Sequence, residues 1–165
     1  MRKNQKGAVL IVSLIMLLLL TILSVSSMQT IILEEKVTGN YKDKNTAFQA
    51  AEAALRAGES FLETVPLPNF DGTTVGLYQP TATGGSRWNI VNWSDDAQVM
   101  NYAGLAHVAD QPAFIIEELL PVRDNDSSRG AGGENTFKFY RVTARAVGAT
   151  NTAIVMLQSV YKRAI

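Results

Sequence analysis

A long apolar segment dominates the hydrophobic pattern of this chain, because residues 8–33 include no ionisable side chain. The part from Ala8 to Met28 would form a helix of roughly 32 Å at ~1.5 Å per residue, enough to cross the ~30 Å hydrocarbon core of a bilayer. We therefore predict a membrane-spanning helix that ends just before Glu34 and Glu35.

Beyond this segment the apolar residues become periodic, with charged residues between them. Such a pattern is typical of an amphipathic helix, here one that continues the apolar helix. Gly39 predicts a bend or short interruption, since glycine costs ~1 kcal/mol relative to alanine in a helix. Pro66 and Pro68 are expected to end the helix. The predicted packing face of the helix consists of Leu33, Val37, Phe48, Ala51, Leu55 and Leu62.

The second half of the chain has a different pattern. Residues 69–112 contain many turn signals and predict a loop-rich connection with one or two short strands or a helical turn. Three later runs, 113–120, 136–146 and 152–161, are rich in strand-forming residues and are separated by turn clusters. They predict an antiparallel meander.

Alternation along the middle strand indicates which face of this sheet is buried. Val142, Ala144 and Ala146 point to one side and offer the small apolar surface that an alanine-rich helix needs beneath it. The predicted fold class is therefore α+β: one long N-terminal helix, membrane-spanning in its first half, packed on a C-terminal antiparallel β-sheet.

Charge and composition narrow the function classes. Arg2, Lys3 and Lys6 precede the apolar run, and the positive-inside rule then places residues 1–7 in the cytoplasm and the head outside it. Three of the 15 basic residues precede Ala8, so a chain from Ala8 onward would carry 12 basic and 15 acidic side chains. This negative net charge does not favour nucleic-acid binding.

Cysteine is absent, which excludes disulfides and thiolate metal sites. His107 is the only histidine, and no serine has an evident base, so nothing suggests catalysis.

Two kinds of processing fit the start of the chain. Ser24, Val25 and Ser26 imitate the small-x-small pattern of a secretory cleavage site, which would release a soluble domain. Cleavage there would discard an apolar surface that leads directly into an amphipathic helix. The alternative site is the junction of Gly7 and Ala8, where the basic leader meets the apolar helix.

A short basic leader that ends in glycine and directly precedes an apolar helix resembles the leader of type IV prepilins. The stretches 33–40 and 47–59 are similar to the N-terminal region of the PilX-type minor pilins, and 140–146 and 155–161 look like the closing strands of that family. This resemblance covers both ends of the chain and roughly half of it.

The resemblance implies that a membrane peptidase cleaves after Gly7 and methylates the new amino terminus at Ala8. It implies no cofactor and no enzymatic activity. The expected parts of the chain are a prepilin leader (1–7), a transmembrane and assembly half of the helix (8–33), an amphipathic half (34–64) and an extracytoplasmic globular head with the sheet (65–165).

One residue departs from the wider pilin pattern. Most pilins carry glutamate at the fifth mature position, where its carboxylate neutralises the amino terminus of a neighbouring subunit, and here that position is Val12. A carboxylate in hydrocarbon is costly unless paired, so its absence removes both a penalty and a docking contact. The resemblance therefore implies a minor pilin that primes assembly and lies at the pilus tip; the alternative is that a minor pilin merely tolerates valine.

This hypothesis implies partners and a location. The partners are the prepilin peptidase, other minor and major pilins, the inner-membrane assembly platform and a tip adhesin, and the roles are twitching motility and surface attachment. The protein would be a single-pass protein of the bacterial inner membrane with a periplasmic head, and part of the pilus after assembly. A pseudopilin of a type II secretion system and a signal-anchored periplasmic binding domain are the alternatives.

Two further groups of residues have both a structural and a functional interpretation. Asp124 and Asp126 resemble the start of a calcium loop, but Arg129 occupies the position of the required glycine, so a solvated hairpin loop is the better interpretation. Trp88 and Trp93 either anchor a partner or cover the edge of the core.

Overall fold

The computed structural model of the chain describes residues 8–80, 85–120 and 137–164. It contains one α-helix followed by five strands, which confirms the α+β class. The elements are helix α1 (Ala8–Leu62), strands β1 (Leu77–Tyr78) and β2 (Met100–Asn101), with a 3-10 turn (Arg87–Asn89) between them, and strands β3 (Ala113–Glu118), β4 (Phe137–Val147) and β5 (Ile154–Ala164).

The chain divides into two compact units, one reaching Tyr41 and one starting at Lys42. The described part of the first unit is helical throughout, from Ala8 to Tyr41. The predicted short interruption near Gly39 is therefore wrong, and the alternative, a bend, stays a prediction. A single glycine costs only ~1 kcal/mol, and residues that continue the hydrogen-bonded helix on both sides offset it.

The second unit contains the rest of α1 and the sheet. The three long strands form the predicted antiparallel meander, with β3 pairing with β4 and β4 with β5. The two short strands share the other side of β3, where β2 pairs with it antiparallel and β1 parallel. The sheet is thus mixed rather than wholly antiparallel, because β1 enters from the segment after α1 and runs alongside β3.

Two hydrophobic clusters lie between the helix and the sheet. The larger joins Leu62 of α1 to Phe114, Ile116, Tyr140 and Val142 of the sheet, and the smaller joins alanines of α1 to Ala146. The prediction that the Val142 face of β4 is buried is confirmed, since Val142, Ala144 and Ala146 are almost fully inaccessible.

A third cluster lies on the opposite face of β3. Val99, Ala113 and Ile115 are buried there beneath side chains of the loop-rich connection between β1 and β2. That connection contains the predicted helical turn, and short strands lie at each end of it. Both faces of β3 are covered, which explains why five of its six residues are buried.

Candidate functional site

The apolar part of α1 is the first candidate surface. The helix is long and apolar enough to cross a membrane, and none of its most apolar window is buried within the chain. Every residue from Ala8 to Lys42 is exposed, whereas the apolar core helix of a soluble protein would be covered. Length, composition and exposure together fit a segment whose neighbours are lipid tails or other helices.

Five of the six hydroxyl side chains in residues 8–33 donate a hydrogen bond within the helix. The acceptor is a backbone carbonyl three or four residues earlier, at 2.8 to 3.3 Å. Such internal bonding is what a hydrocarbon environment requires, since lipid offers no alternative partner. The five residues are Ser13, Thr21, Ser24, Ser27 and Thr30.

The structure places the predicted processing residues as follows. Gly7 lies outside the described residues, and Ala8 is the first residue of α1. Val12 lies within the second helical turn and is 55 % exposed, so it presents an apolar surface on the outside of the helix. Ser26, the alternative cleavage position, lies inside the continuous helix and accepts a hydrogen bond from Thr30.

Helix α1 contacts the sheet through small residues. Ala47, Ala50, Ala51, Ala54, Gly58 and Leu62 are the buried residues of the helix. Of the predicted packing face, Ala51 and Leu62 are buried, Leu55 is half-buried, and Leu33, Val37 and Phe48 are exposed. The prediction therefore needs correction at these three exposed positions. The missed signal is the spacing of the alanines and Gly58, which recur at three- and four-residue steps.

Gly58 marks the closest approach of helix and sheet. A Cβ atom at this position would lie 2.5 Å from Cγ1 of Val142 and 3.0 Å from Cδ2 of Phe114. These distances are shorter than ordinary carbon contacts of about 3.5–4.0 Å. Glycine is thus required here by packing against β4 and β3.

A polar contact fixes the start of the helical part of the second unit. The Asp43 carboxylate accepts hydrogen bonds from the backbone N–H of Thr150, at 3.2 Å, and from its hydroxyl. These bonds, the hydroxyl one first, hold the pKa of Asp43 below its ordinary value. Gly148 permits this approach, because a Cβ atom there would overlap Asp43. The helix is thereby tied to the turn between β4 and β5, a contact that no sequence pattern predicted.

A cleft of about 480 Å³ lies at the end of the sheet and is a candidate small-molecule site. Its lining includes Glu118, Lys138, Tyr140 and Arg163. Lys138 donates to Glu118 at 2.7 Å, which raises the pKa of the lysine, and burial raises the pKa of Tyr140. The charges of Lys138 and Glu118 therefore neutralise each other, and the tyrosine is protonated at neutral pH. This arrangement offers no activated nucleophile.

Comparison with known families decides the identity of the chain. A model described as PilX N-terminal matches residues 6–56, and a model described as type IV pilus assembly protein PilX C-term matches residues 36–163. The chain belongs to the PilX family. The first match spans the junction of Gly7 and Ala8. The second spans all of α1 beyond Glu35 and the described sheet except Ala164, the last residue of β5. Neither the curated proteins nor the solved structures contain a match to it.

PilX proteins are minor pilins of type IV pilus assembly, a structural family rather than an enzyme family. The other candidate residues are consistent with this membership. Trp88 and Trp93 are half-buried against the cluster around Ile115, and the Trp93 indole donates to the carbonyl of Trp88 at 3.0 Å. They cover the edge of the core, which is one of the two interpretations given above; the other was that they anchor a partner.

The remaining candidates from the sequence of this PilX chain are His107 and the pair Asp124 and Asp126. His107 lies in the loop before β3 with a positive φ of 64°. Asp124 and Asp126 fall outside the described residues. Within residues 8–80, 85–120 and 137–164, no three His, Cys, Asp or Glu side chains come together to hold a metal ion.

Proposed function

We propose that this PilX-family protein is a minor pilin that primes type IV pilus assembly and lies at the pilus tip. The observation that supports this most strongly is Val12, an apolar residue within a helix segment that has no ionisable side chain. The described head adds no catalytic constellation, which fits a structural role. The family description, a pilus assembly protein, favours the pilus over a type II secretion system.

The physical argument concerns the charge of the amino terminus. A filament subunit with glutamate at the fifth mature position can neutralise the amino terminus of its neighbour inside an apolar helix bundle, where an unpaired charge is costly. Val12 cannot do this. A subunit with valine here can be placed first, because the first subunit has no earlier neighbour whose amino terminus needs pairing.

The proposal includes processing, location and partners. Cleavage after Gly7 removes the leader (1–7), and methylation modifies Ala8. Residues 8–33 then anchor the chain in the bacterial inner membrane. The amphipathic part (34–64) leads into a periplasmic head (65–165). The prepilin peptidase, other minor and major pilins, the assembly platform and a tip adhesin are the proposed partners. Loss of the protein would then reduce piliation, twitching motility and surface attachment.

The experiment is a comparison of two glutamate variants, Val12→Glu and Leu14→Glu. Both place one carboxylate on an exposed position of the same apolar helix, but only Val12→Glu restores it at the fifth mature position. Antibody labelling of sheared filaments should find the wild-type protein at filament ends at low copy. Val12→Glu should add labelling along the shaft, whereas Leu14→Glu should not.

The processing of each variant is checked in the same preparation. The intact mass of the protein should lack residues 1–7 and include one additional methyl group. Uniform shaft labelling of the wild type would refute the tip location, and equal behaviour of the two glutamate variants would refute the role of Val12. An intact amino terminus, or cleavage after Ser26, would refute the prepilin hypothesis as a whole.

A further inference from the structure

Strand β5 lies at the edge of the sheet. Within the described part of the chain it pairs with β4 alone, through eleven residue pairs from Phe137 opposite Ala164 to Val147 opposite Ile154. The register is constant over all eleven pairs, so no bulge interrupts the strand. A regular edge strand of this length presents a continuous row of backbone donors and acceptors to a potential partner.

The hydrogen-bond pattern shows which residues of β5 face outward. The N–H of Gly148 donates to the carbonyl of Ala153 at 2.9 Å, directly beside the last strand pair. Gly148 and Ala153 are therefore a hydrogen-bonded pair. Directly opposed residues alternate between bonded and non-bonded pairs along an antiparallel ladder, and this alternation puts Gln158 and Val160 in non-bonded pairs. Their N–H and carbonyl groups thus point away from β4. The side chains of these same two residues are exposed.

The edge has none of the usual protection over most of its length. Residues 154–161 contain no charge, proline or glycine, and eight residues span roughly 26 Å at ~3.3 Å each. Edge strands that remain in solvent are normally blunted by such residues or by bulges. Ile154 and Val160 are instead apolar and 50 % and 63 % exposed. This surface has the features of a strand that another chain covers.

Charge indicates the chemistry of that chain. The β4 and β5 strands together contain basic residues and no acidic one. Glu118 and Glu117 of β3 pair with two of these cations, Lys138 and Arg141. In the described residues no ion pair neutralises the other three, which are Arg145, Lys162 and Arg163.

Arg163 has unused hydrogen-bonding capacity at the end of the strand. Its Nη2 donates to the carbonyl of Thr64 at 3.0 Å, while its buried Nη1 has no acceptor among the described residues. Lys162 lies beside it on the exposed face, with Nζ 3.9 Å from the centre of the Phe137 ring. A second copy of β5 would bring further basic residues to this edge and no carboxylate, and opposite charges across a strand pair are the stabilising ones.

We propose that the outer edge of β5 binds an extended segment of a different protein, apolar at alternate positions opposite residues 154–160 and acidic opposite Lys162. The added strand would continue the sheet through backbone hydrogen bonds, with side-chain pairs and charge setting its identity. This surface lies in the head and does not depend on a tip location or on Val12.

The test uses the full processed chain in lipid nanodiscs and two fluorescent ten-residue peptides. Both peptides alternate valine and threonine; one ends in two glutamates and the other in two lysines. The acidic peptide should bind in a salt-dependent manner, at least tenfold more tightly than the basic one. Gln158→Pro should weaken this binding at least tenfold, because it removes an outward N–H, whereas the matched Gln158→Ala should leave it unchanged.

Lys162→Glu provides a second variant that leaves the backbone intact. The variant should bind the basic peptide more tightly than the acidic one. It is the deciding test if Gln158→Pro lowers the thermal stability of the head, since a loss of binding by the proline variant would then have a second explanation. Absence of binding, equal binding of both peptides, or no reversal by Lys162→Glu would overturn the proposal. The wild-type chain could also self-associate in a way that Gln158→Pro abolishes. This result would show that a second copy occupies the edge, and it would overturn the proposal as well.

Discussion

Replacing Gly58 by alanine should loosen the packing of α1 on the sheet. The new methyl group would lie 2.5 Å from Cγ1 of Val142 and 3.0 Å from Cδ2 of Phe114. Val142 is fully buried in the middle of β4, and its β-branched side chain has little rotameric freedom with which to move aside. The helix or the strand must therefore shift.

The magnitude follows from two opposing effects. Inserting a methyl group into a packed core costs about 1–3 kcal/mol, while alanine is favoured over glycine inside a helix by about 1 kcal/mol. The expected net loss is therefore about 1 kcal/mol, which lowers the Tm of a unit of this size by roughly 4 °C. Gly39→Ala is the matched control in the first unit, because nothing lies within 4 Å of its Cβ position. It adds a methyl group to the same helix without overlap, so the Tm of the second unit should stay unchanged.

Thermal unfolding of the full chain in detergent, followed by tryptophan fluorescence, measures this difference. Both tryptophans lie in the head, so the signal reports the unit that contains Gly58. Adding Val142→Ala should relieve the overlap, giving a double variant that is more stable than the sum of the two single losses predicts. A Gly58→Ala protein as stable as the Gly39→Ala control would refute the argument.

Two further predictions concern polar contacts of the second unit. Asp43→Asn should lower the Tm at pH 6. The pKa of Asp43 is lowered in the folded state, so its ionised form stabilises the fold at pH values above the ordinary pKa of 3.8. The Tm difference between wild type and variant should shrink as the pH falls below 3.8 through the folded-state pKa. Arg141→Met should lower the free energy of unfolding in urea by about 3–5 kcal/mol, because it leaves the Glu117 carboxylate unpaired at 3 % exposure. Adding Glu117→Gln should restore most of that loss.

Each of these two predictions has a result that contradicts it. For Asp43, a Tm difference that stays constant between pH 6 and pH 3 would show that the contact with Thr150 does not depend on ionisation. For Arg141, a single variant as stable as the double variant would show that Glu117 needs no cation, although Arg141 Nη1 lies 3.4 Å from its Oε2.

Strong periodic signals allowed much of the fold to be predicted. The long helix follows from an apolar run and an alanine-rich segment, and the burial of Val142, Ala144 and Ala146 follows from alternation along one strand. Strand β1 has only two residues, too few to show a period, so neither its position within residues 69–112 nor its parallel pairing with β3 could be derived. The contact of Asp43 with Thr150 joins residues 107 positions apart, and no local pattern encodes it.

The error in the predicted helix face has a physical cause that bears on function. Large apolar residues normally mark the buried side of a helix, yet Val37 and Phe48 are exposed, and the buried side consists mostly of alanine and Gly58. Small residues allow a close approach to the sheet, so burial here is determined by size as well as by polarity. The large apolar side chains are left available for lipid or neighbouring helices, which is the property that the proposed assembly role requires.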